Sequence, residues 1–177
     1  MKKDFSKIKL FAMDVDGTLT DGKIYIGNDG EVMKAFNAKD GLGIKLLIKK
    51  GIVPIIITGR RSKIVTRRCE EIGITVLYQG VRDKADILKN VMAKYDCTPE
   101  QTVYIGDDMN DLSAMQTAGI TFAPADCAAA LLPYVDFVLT QKSGDAPVRE
   151  AIDIILENRL TPVSYTHLRA HETELHL

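Results

Sequence analysis

Two aspartates two residues apart, Asp14 and Asp16, close an apolar run and lead directly into Gly17-Thr18. The run, Ile8 to Val15 (IKLFAMDV), reads as a buried strand. In open α/β sheets, ligands bind outside the carboxyl ends of the strands, so this spacing lets both carboxylates face one crevice. Two like charges there are costly unless a cation or a proton intervenes. Magnesium, which prefers hard oxygen ligands, meets that cost. Gly17 and Thr18 supply a tight turn and backbone N–H groups suited to phosphate oxygens. Taken alone, the motif also fits an acidic surface turn, because Asp-Gly pairs are common in loops.

Three further polar groups follow the same logic. Thr58-Gly59-Arg60 comes straight after the run Val53 to Ile57, and offers a hydroxyl and amides to a phosphate. Lys84 opens a helical pattern downstream of another short apolar run. Gly106-Asp107-Asp108-Met109-Asn110-Asp111 follows Val103 to Ile105. Singly, Thr58 reads as a cap, Lys84 as a solvated helix residue and Asp107-Asp108 as a turn. Jointly, a hydroxyl, a lysine and two acidic groups on one edge of one sheet describe a site.

The elements that would hold them alternate. Strand candidates are Ile8 to Val15, Val53 to Ile57, Thr75 to Tyr78, Val103 to Ile105 and Phe137 to Leu139. Such short, β-branched runs suit a parallel sheet covered on both faces. Helical patterns lie between them. One spans Gly41 to Lys50. A second runs from Ser62, as N-cap, to Ile72, with Gly73 as its stop. Others run from Lys84 to Tyr95, from Asp111 to Ala118 and from Ala146 to Leu160, with a capping-box turn at Thr98 to Gln101. This order predicts right-handed βαβ units and a doubly wound, Rossmann-like, mostly parallel α/β sheet. One interruption follows the first strand: Lys23 to Ile26 and Val32 to Phe36 flank Gly27-Asn28-Asp29-Gly30, a β-hairpin signal.

Composition bounds the rest. With 177 residues, 46% of them apolar, the chain suits one domain with a single core. A net charge of -1 argues against a nucleic-acid or membrane partner, and no apolar run approaches the roughly 20 residues that span a bilayer. The first residues lack the apolar stretch of a signal peptide. Cys69, Cys97 and Cys127 are dispersed, without the spacing of a disulfide framework or zinc site, which fits a reducing cytoplasm. His167, His171 and His176 lie near the end of the chain, so a general acid or base in the body must be another residue type. Residues 1–160 read as the domain. Residues 161–177 continue no amphipathic period, and are expected to be a non-native or poorly ordered tail.

Over about residues 8 to 157 the set resembles the haloacid dehalogenase superfamily of phosphatases. The resemblance implies roles. Asp14 would attack phosphorus and Asp16 would act as general acid and base. Thr58 and Lys84 would bind the transferring phosphoryl group. Asp107 would complete a magnesium site with Asp14 and the backbone carbonyl of Asp16, and Asp108 and Asp111 would support the acidic loop. Phosphoryl transfer rests on charge neutralisation and in-line positioning, which these residue types provide.

Larger members of the superfamily carry a cap domain. Here a short hairpin follows the first motif, and residues 59 to 83 leave no room for a second cap. The monomer's site is therefore expected to be open, so that either the substrate is large or another subunit supplies a lid. The stretches TDGKIYIGNDGEVMKAFNAKDGLGIKLL, TGRRSKIVTRRCEEIGI and LYQGVRDK resemble 3-deoxy-D-manno-octulosonate 8-phosphate phosphatases. That resemblance implies an acidic eight-carbon sugar phosphate as substrate, a role in lipopolysaccharide synthesis and a homotetramer. It also implies that Arg60 and Arg68 bind substrate anions, beside Thr58, Gly59 and Lys84. The basic residues Arg61, Lys63 and Arg67 read as a solvated helix face. One departure stands out: where relatives have Gly-Gly-Arg-Gly before the last helix, this chain has Ser143-Gly144-Asp145-Ala146. A nine-carbon acidic sugar 9-phosphate is the alternative substrate. A non-enzymatic scaffold domain of a sugar-activating synthetase is the alternative without chemistry.

Overall fold

The computed structural model describes residues 3–159; the expected tail, 161–177, lies outside them. Eight strands and five α-helices follow in chain order: β1 (Leu10–Met13), β2 (Tyr25–Gly27), β3 (Gly30–Met33), α1 (Ala38–Lys49), β4 (Val53–Thr58), α2 (Lys63–Ile72) and β5 (Val76–Gln79). Then come α3 (Lys84–Lys94), β6 (Thr102–Ile105), α4 (Leu112–Met115), β7 (Ile120–Ala123), β8 (Phe137–Val138) and α5 (Pro147–Asn158).

Six strands form one parallel sheet in the order β5-β4-β1-β6-β7-β8. The chain winds outward from β1 through β4 to β5, then returns to the other side of β1 and winds outward again. The strand order thus reverses between β1 and β6, the position at which open α/β sheets form their ligand crevice. Register fixes the two edges of that crevice together, with Met13 opposite Ile105 on one side and Ile56 on the other.

Side-chain alternation splits the buried residues into two layers. Phe11, Met13, Val103 and Ile105 face Ile44 and Leu47 of α1, Val65 and Cys69 of α2, and Val148 and Ile152 of α5. Leu10, Ala12, Ile55, Ile57 and Tyr104 face Leu88 and Val91 of α3 and Met115 of α4. Because both faces are covered, β1 is apolar throughout and β4 and β6 are largely so, as suits a parallel sheet.

The expected helices form with adjusted limits. Ser62 caps α2, accepting from the Val65 N–H at 3.2 Å, and Gly73 ends it at φ +87°. The α1 helix starts earlier than the sequence suggests, capped by Asn37, whose Oδ1 accepts from the Lys39 N–H at 2.9 Å. Its early glycines do not break it; a Cβ at Gly41 would press on the Arg68 guanidinium and one at Gly43 on Arg149, so small residues let α2 and α5 approach. The helix expected over Asp111 to Ala118 is a 3₁₀ turn (Met109–Asp111) followed by the single turn of α4. It stops there because Gly119 N–H turns to the Pro99 carbonyl at 2.8 Å, which starts β7. Strand β7 itself escaped the sequence reading, since Ile120–Ala123 is short and runs directly into Pro124. Hairpin β2–β3 forms a separate two-stranded antiparallel sheet, as expected. Among the described residues no helix is long and apolar enough to cross a membrane.

Candidate active site

The site gathers where β1, β4 and β6 end. Asp14 follows β1 directly, and its backbone N–H donates to the Ile105 carbonyl at 3.1 Å, which ties the loop after β1 to β6. Asp107 follows β6 after Gly106. Asp14, Asp107 and Asp111 each present a carboxylate oxygen, and these oxygens all lie within 4.8 Å of one another. Gly17, at φ +90°, makes this approach possible: a Cβ there would collide with the Asp107 carboxylate. The Thr18 hydroxyl donates to Asp107 Oδ1 at 3.1 Å and holds it in place.

Lys84, the first residue of α3, enters from the face opposite α1. Its Nζ lies 2.9 Å from Asp14 Oδ1 and 2.6 Å from Asp111 Oδ1, and its side chain is 2% exposed. Asp111 is wholly enclosed and engaged at both oxygens. Oδ1 also accepts from the Tyr104 hydroxyl at 2.7 Å, and Oδ2 accepts from the N–H groups of Asp107 at 3.1 Å and Asp108 at 3.4 Å. Asp111 therefore shapes the acidic loop from beneath. Asp108 is exposed and caps the 3₁₀ turn through the Met109 N–H at 2.7 Å.

Crowding of like charges leaves its mark on proton affinity. Burial first, then the Asp111 charge, pushes Asp14 up to about 6, although Lys84 pulls it back. Burial, then Asp14 and Asp111, pushes Asp107 up to about 7. For Lys84, burial works against the ammonium, but Asp14 and Asp111 outweigh it and raise its pKa. The Tyr104 phenol is held neutral by burial, with Asp111 adding to the effect. One ammonium thus serves several crowded carboxylates. A hard divalent cation fits the remaining oxygens of Asp14 and Asp107 by charge and donor type.

The carboxylate of Asp16 points elsewhere. It ion-pairs with Lys34 from the end of hairpin β2–β3, and Arg60 Nε lies 3.9 Å from its Oδ2. Lys34 Nζ also lies 3.0 Å from Glu31 Oε1. Burial opposes the Lys34 charge, but its bonds to Asp16 and Glu31 raise its pKa overall. Thr58 ends β4 and is buried next to this edge, Gly59 follows it, and the Arg60 side chain is half exposed. Arg68 is the exception among the expected residues. Its guanidinium lies over the Phe36 ring at 5.7 Å and bonds to Glu71 at 3.0 Å and to the Asn37 carbonyl at 3.5 Å. There it lines a small cavity between α1 and α2, with Asp40 and Ile44, and makes no bond to the carboxylate cluster.

Several participants were not singled out from sequence. Tyr104 carried a signal, because a phenol in a buried strand needs a partner. Lys34, Glu31, Ser143 and Asp126 carried none. The Ser143 hydroxyl donates to the Gly17 carbonyl while the Ser143 N–H donates to Asp126 Oδ1 at 2.8 Å, and so Ser143 braces the β1 loop from the segment before α5.

The sequence and the overall structure are similar to those of known proteins. The model of the haloacid dehalogenase-like hydrolases matches residues 73–152. The 3-deoxy-D-manno-octulosonate 8-phosphate phosphatase of Yersinia pestis is 46% identical over 151 residues, which cover 85% of this chain and 81% of that protein. This chain belongs to the haloacid dehalogenase superfamily of phosphatases. The crystal structure of the Yersinia pestis phosphatase superposes with a TM-score of 0.85 at 45% identity, covering 88% of this chain and 84% of the other. The Moraxella catarrhalis 3-deoxy-D-manno-octulosonate 8-phosphate phosphatase, in complex with a magnesium ion, a phosphate ion and a KDO molecule, does so at 0.83 and 40% identity, covering 87% and 89%. For the phosphatase described here, the doubly wound sheet without a large cap agrees with that membership: only hairpin β2–β3 stands between the first motif and α1.

Proposed function

We propose that this phosphatase hydrolyses 3-deoxy-D-manno-octulosonate 8-phosphate with magnesium, through a phosphate ester of Asp14. The observation that carries the reaction is the Lys84 ammonium, 2.9 Å from Asp14 Oδ1 in a cluster where Asp107 also converges. It offsets charge on the nucleophile and on an arriving phosphate alike.

In the first half-reaction an Asp14 oxygen attacks phosphorus in line, the bond from phosphorus to the sugar oxygen breaks, and Asp16 gives its proton to that oxygen. In the second, Asp16 takes a proton from water, the water oxygen attacks phosphorus, and the bond to Asp14 breaks. Splitting one hard step into two easier ones is the gain of a covalent intermediate. The Thr58 hydroxyl and the Gly59 amide bind the phosphoryl oxygens, and Lys84 keeps Asp14 oriented. Asp14, Asp107 and the backbone carbonyl of Asp16 would hold magnesium, which supplies positive charge to the phosphoryl group when bound. Asp108 and Asp111 support the loop that carries Asp107.

For the substrate, the support is the identity to relatives of that name, including one whose structure holds magnesium, phosphate and KDO. Arg60, beside Asp16, suits an anionic group near the leaving oxygen. Arg68 is proposed as a second anion contact by resemblance alone. Membership of that family further suggests lipopolysaccharide precursor synthesis in the cytoplasm by a homotetramer.

The test is steady-state kinetics on 3-deoxy-D-manno-octulosonate 8-phosphate and on a nine-carbon acidic sugar 9-phosphate, with magnesium and with chelator. A higher kcat/KM for the former, lost in chelator, is expected. Preference for the nine-carbon substrate overturns the substrate reading, and metal-independent turnover overturns the magnesium reading.

A further inference from the structure

The geometry points to Lys34 as a positioning residue for Asp16, acting together with Glu31 as a strut between the hairpin and the β1 loop. This inference rests on the acid–base reading of Asp16 given above and extends it to residues that reading leaves without a role.

Lys34 follows β3 immediately, yet its side chain is only 1% exposed. A lysine is seldom enclosed so fully unless its charge is paired. Both of its partners are carboxylates: Asp16 Oδ1 and, at 3.0 Å, Glu31 Oε1. Glu31 is in turn fixed, since its Oε2 accepts from the Ser62 hydroxyl, and the Ser62 N–H donates to Gln79 Oε1 at 2.7 Å. The chain of bonds therefore runs from the start of α2 and the end of β5, through the hairpin, to one oxygen of Asp16. The other oxygen is left on the side of Arg60, whose side chain is half exposed. That is the open side, from which a leaving group must approach.

The plainer reading is that Lys34 merely fastens the hairpin. The hairpin does lack apolar anchoring, with Ile26 at 71% and Val32 at 61% exposed. Fastening alone, however, would be indifferent to which phosphate ester is hydrolysed. Aiming Asp16 would not. Proton transfer to the leaving oxygen matters for an alkyl phosphate and hardly at all for an aryl phosphate whose phenolate leaves unaided. A carboxylate displaced by as little as an ångström loses much of its effect.

The experiment compares kcat/KM, which reports the step in which the leaving group departs and not the later hydrolysis common to both substrates, on p-nitrophenyl phosphate and on whichever acidic sugar phosphate is the better substrate, for the parent, Lys34→Met, Lys34→Arg, Glu31→Gln and Asp16→Asn. Lys34→Met is expected to lose roughly 10- to 100-fold more on the sugar phosphate than on the aryl phosphate. Lys34→Arg should recover most of that difference. Glu31→Gln, which loosens Lys34 without removing it, should show the same selectivity at smaller size, and it decides the matter if Lys34→Met does not fold. Equal losses on both substrates in the Lys34 and Glu31 variants, while Asp16→Asn remains selective, overturn the positioning role alone. An Asp16→Asn variant without selectivity overturns the acid–base reading, and the inference with it.

Discussion

Lys84 Nζ lies 2.9 Å from Asp14 Oδ1, and both side chains are almost fully enclosed. An ammonium and a carboxylate buried together are costly to assemble, and more costly to separate by mutation. Lys84→Met removes the cation while leaving Asp14 and Asp111 in place, with their oxygens still within 4.8 Å. We expect a loss of about 3–5 kcal/mol in urea unfolding with chelator present. Turnover should fall at least ~100-fold. An unchanged unfolding midpoint would show that the acidic cluster does not depend on Lys84.

Gly17 tests how tightly the two loops are fitted. Its φ of +90° and the collision of any Cβ with the Asp107 carboxylate act in the same direction. Backbone strain of about 1–2 kcal/mol is expected for Gly17→Ala, together with a displaced Asp107. Turnover should drop by at least ~100-fold, while circular dichroism reports an intact sheet. Near-parental kcat in a folded Gly17→Ala variant would mean that the approach of β1 and β6 is looser than these distances indicate.

Most of this site was legible because the residues concerned sit at strand ends, and a strand end can be read from a short β-branched run. Asp14 comes straight after β1, Thr58 ends β4 and Asp107 comes one residue after β6, and the parallel register sets these three strand ends side by side. Lys34 could not be found this way. Its contact with Asp16 depends on how hairpin β2–β3 folds back over the loop, and no local pattern encodes that. Strand β7 was missed for a different reason: four residues bounded by Gly119 and Pro124 carry too little periodicity to stand apart from a loop. Arg68 follows no strand end, and its guanidinium packs on Phe36 and bonds to the Asn37 carbonyl and to Glu71, apart from the carboxylate cluster.

A divalent cation should act on stability as well as on rate. Asp14 and Asp107 are drawn together by the fold and lie far apart in sequence, so the ion binds the native chain in preference to the unfolded one. Magnesium at 100 times its dissociation constant should add about 2.7 kcal/mol. Thermal melts with magnesium and with chelator measure this directly. Asp107→Asn should abolish the magnesium-dependent gain and, in chelator, melt no lower than the parent, because a charge pushed up to about 7 has been removed. Equal magnesium stabilisation in Asp107→Asn would remove Asp107 from the metal site.

Asp40 offers a test of the fold away from the chemistry. It lies in the first turn of α1, is 2% exposed, and accepts from the Arg149 N–H of α5 at 2.7 Å through Oδ1, while Oδ2 has no hydrogen-bond partner. Burial pushes its pKa up to about 7, only partly offset by the bonds from α5 and the charge of Arg68 on α2. The native state therefore keeps a proton that the unfolded chain has already released. Where the native state binds more protons, stability falls as pH rises. The fall should run from about pH 4 to about pH 7, with a slope of at most ~1.4 kcal/mol per pH unit. Asp40→Asn keeps the acceptor for the Arg149 N–H and carries no charge to bury. Its stability relative to the parent should thus grow across that window and level off above it. Urea unfolding of both proteins at several pH values gives the difference directly, because the other titrating groups are common to the pair. A difference that stays flat from pH 4 to pH 8 would mean that Asp40 is ionised in the native protein, and that the helix α5 N-terminus compensates its burial in full.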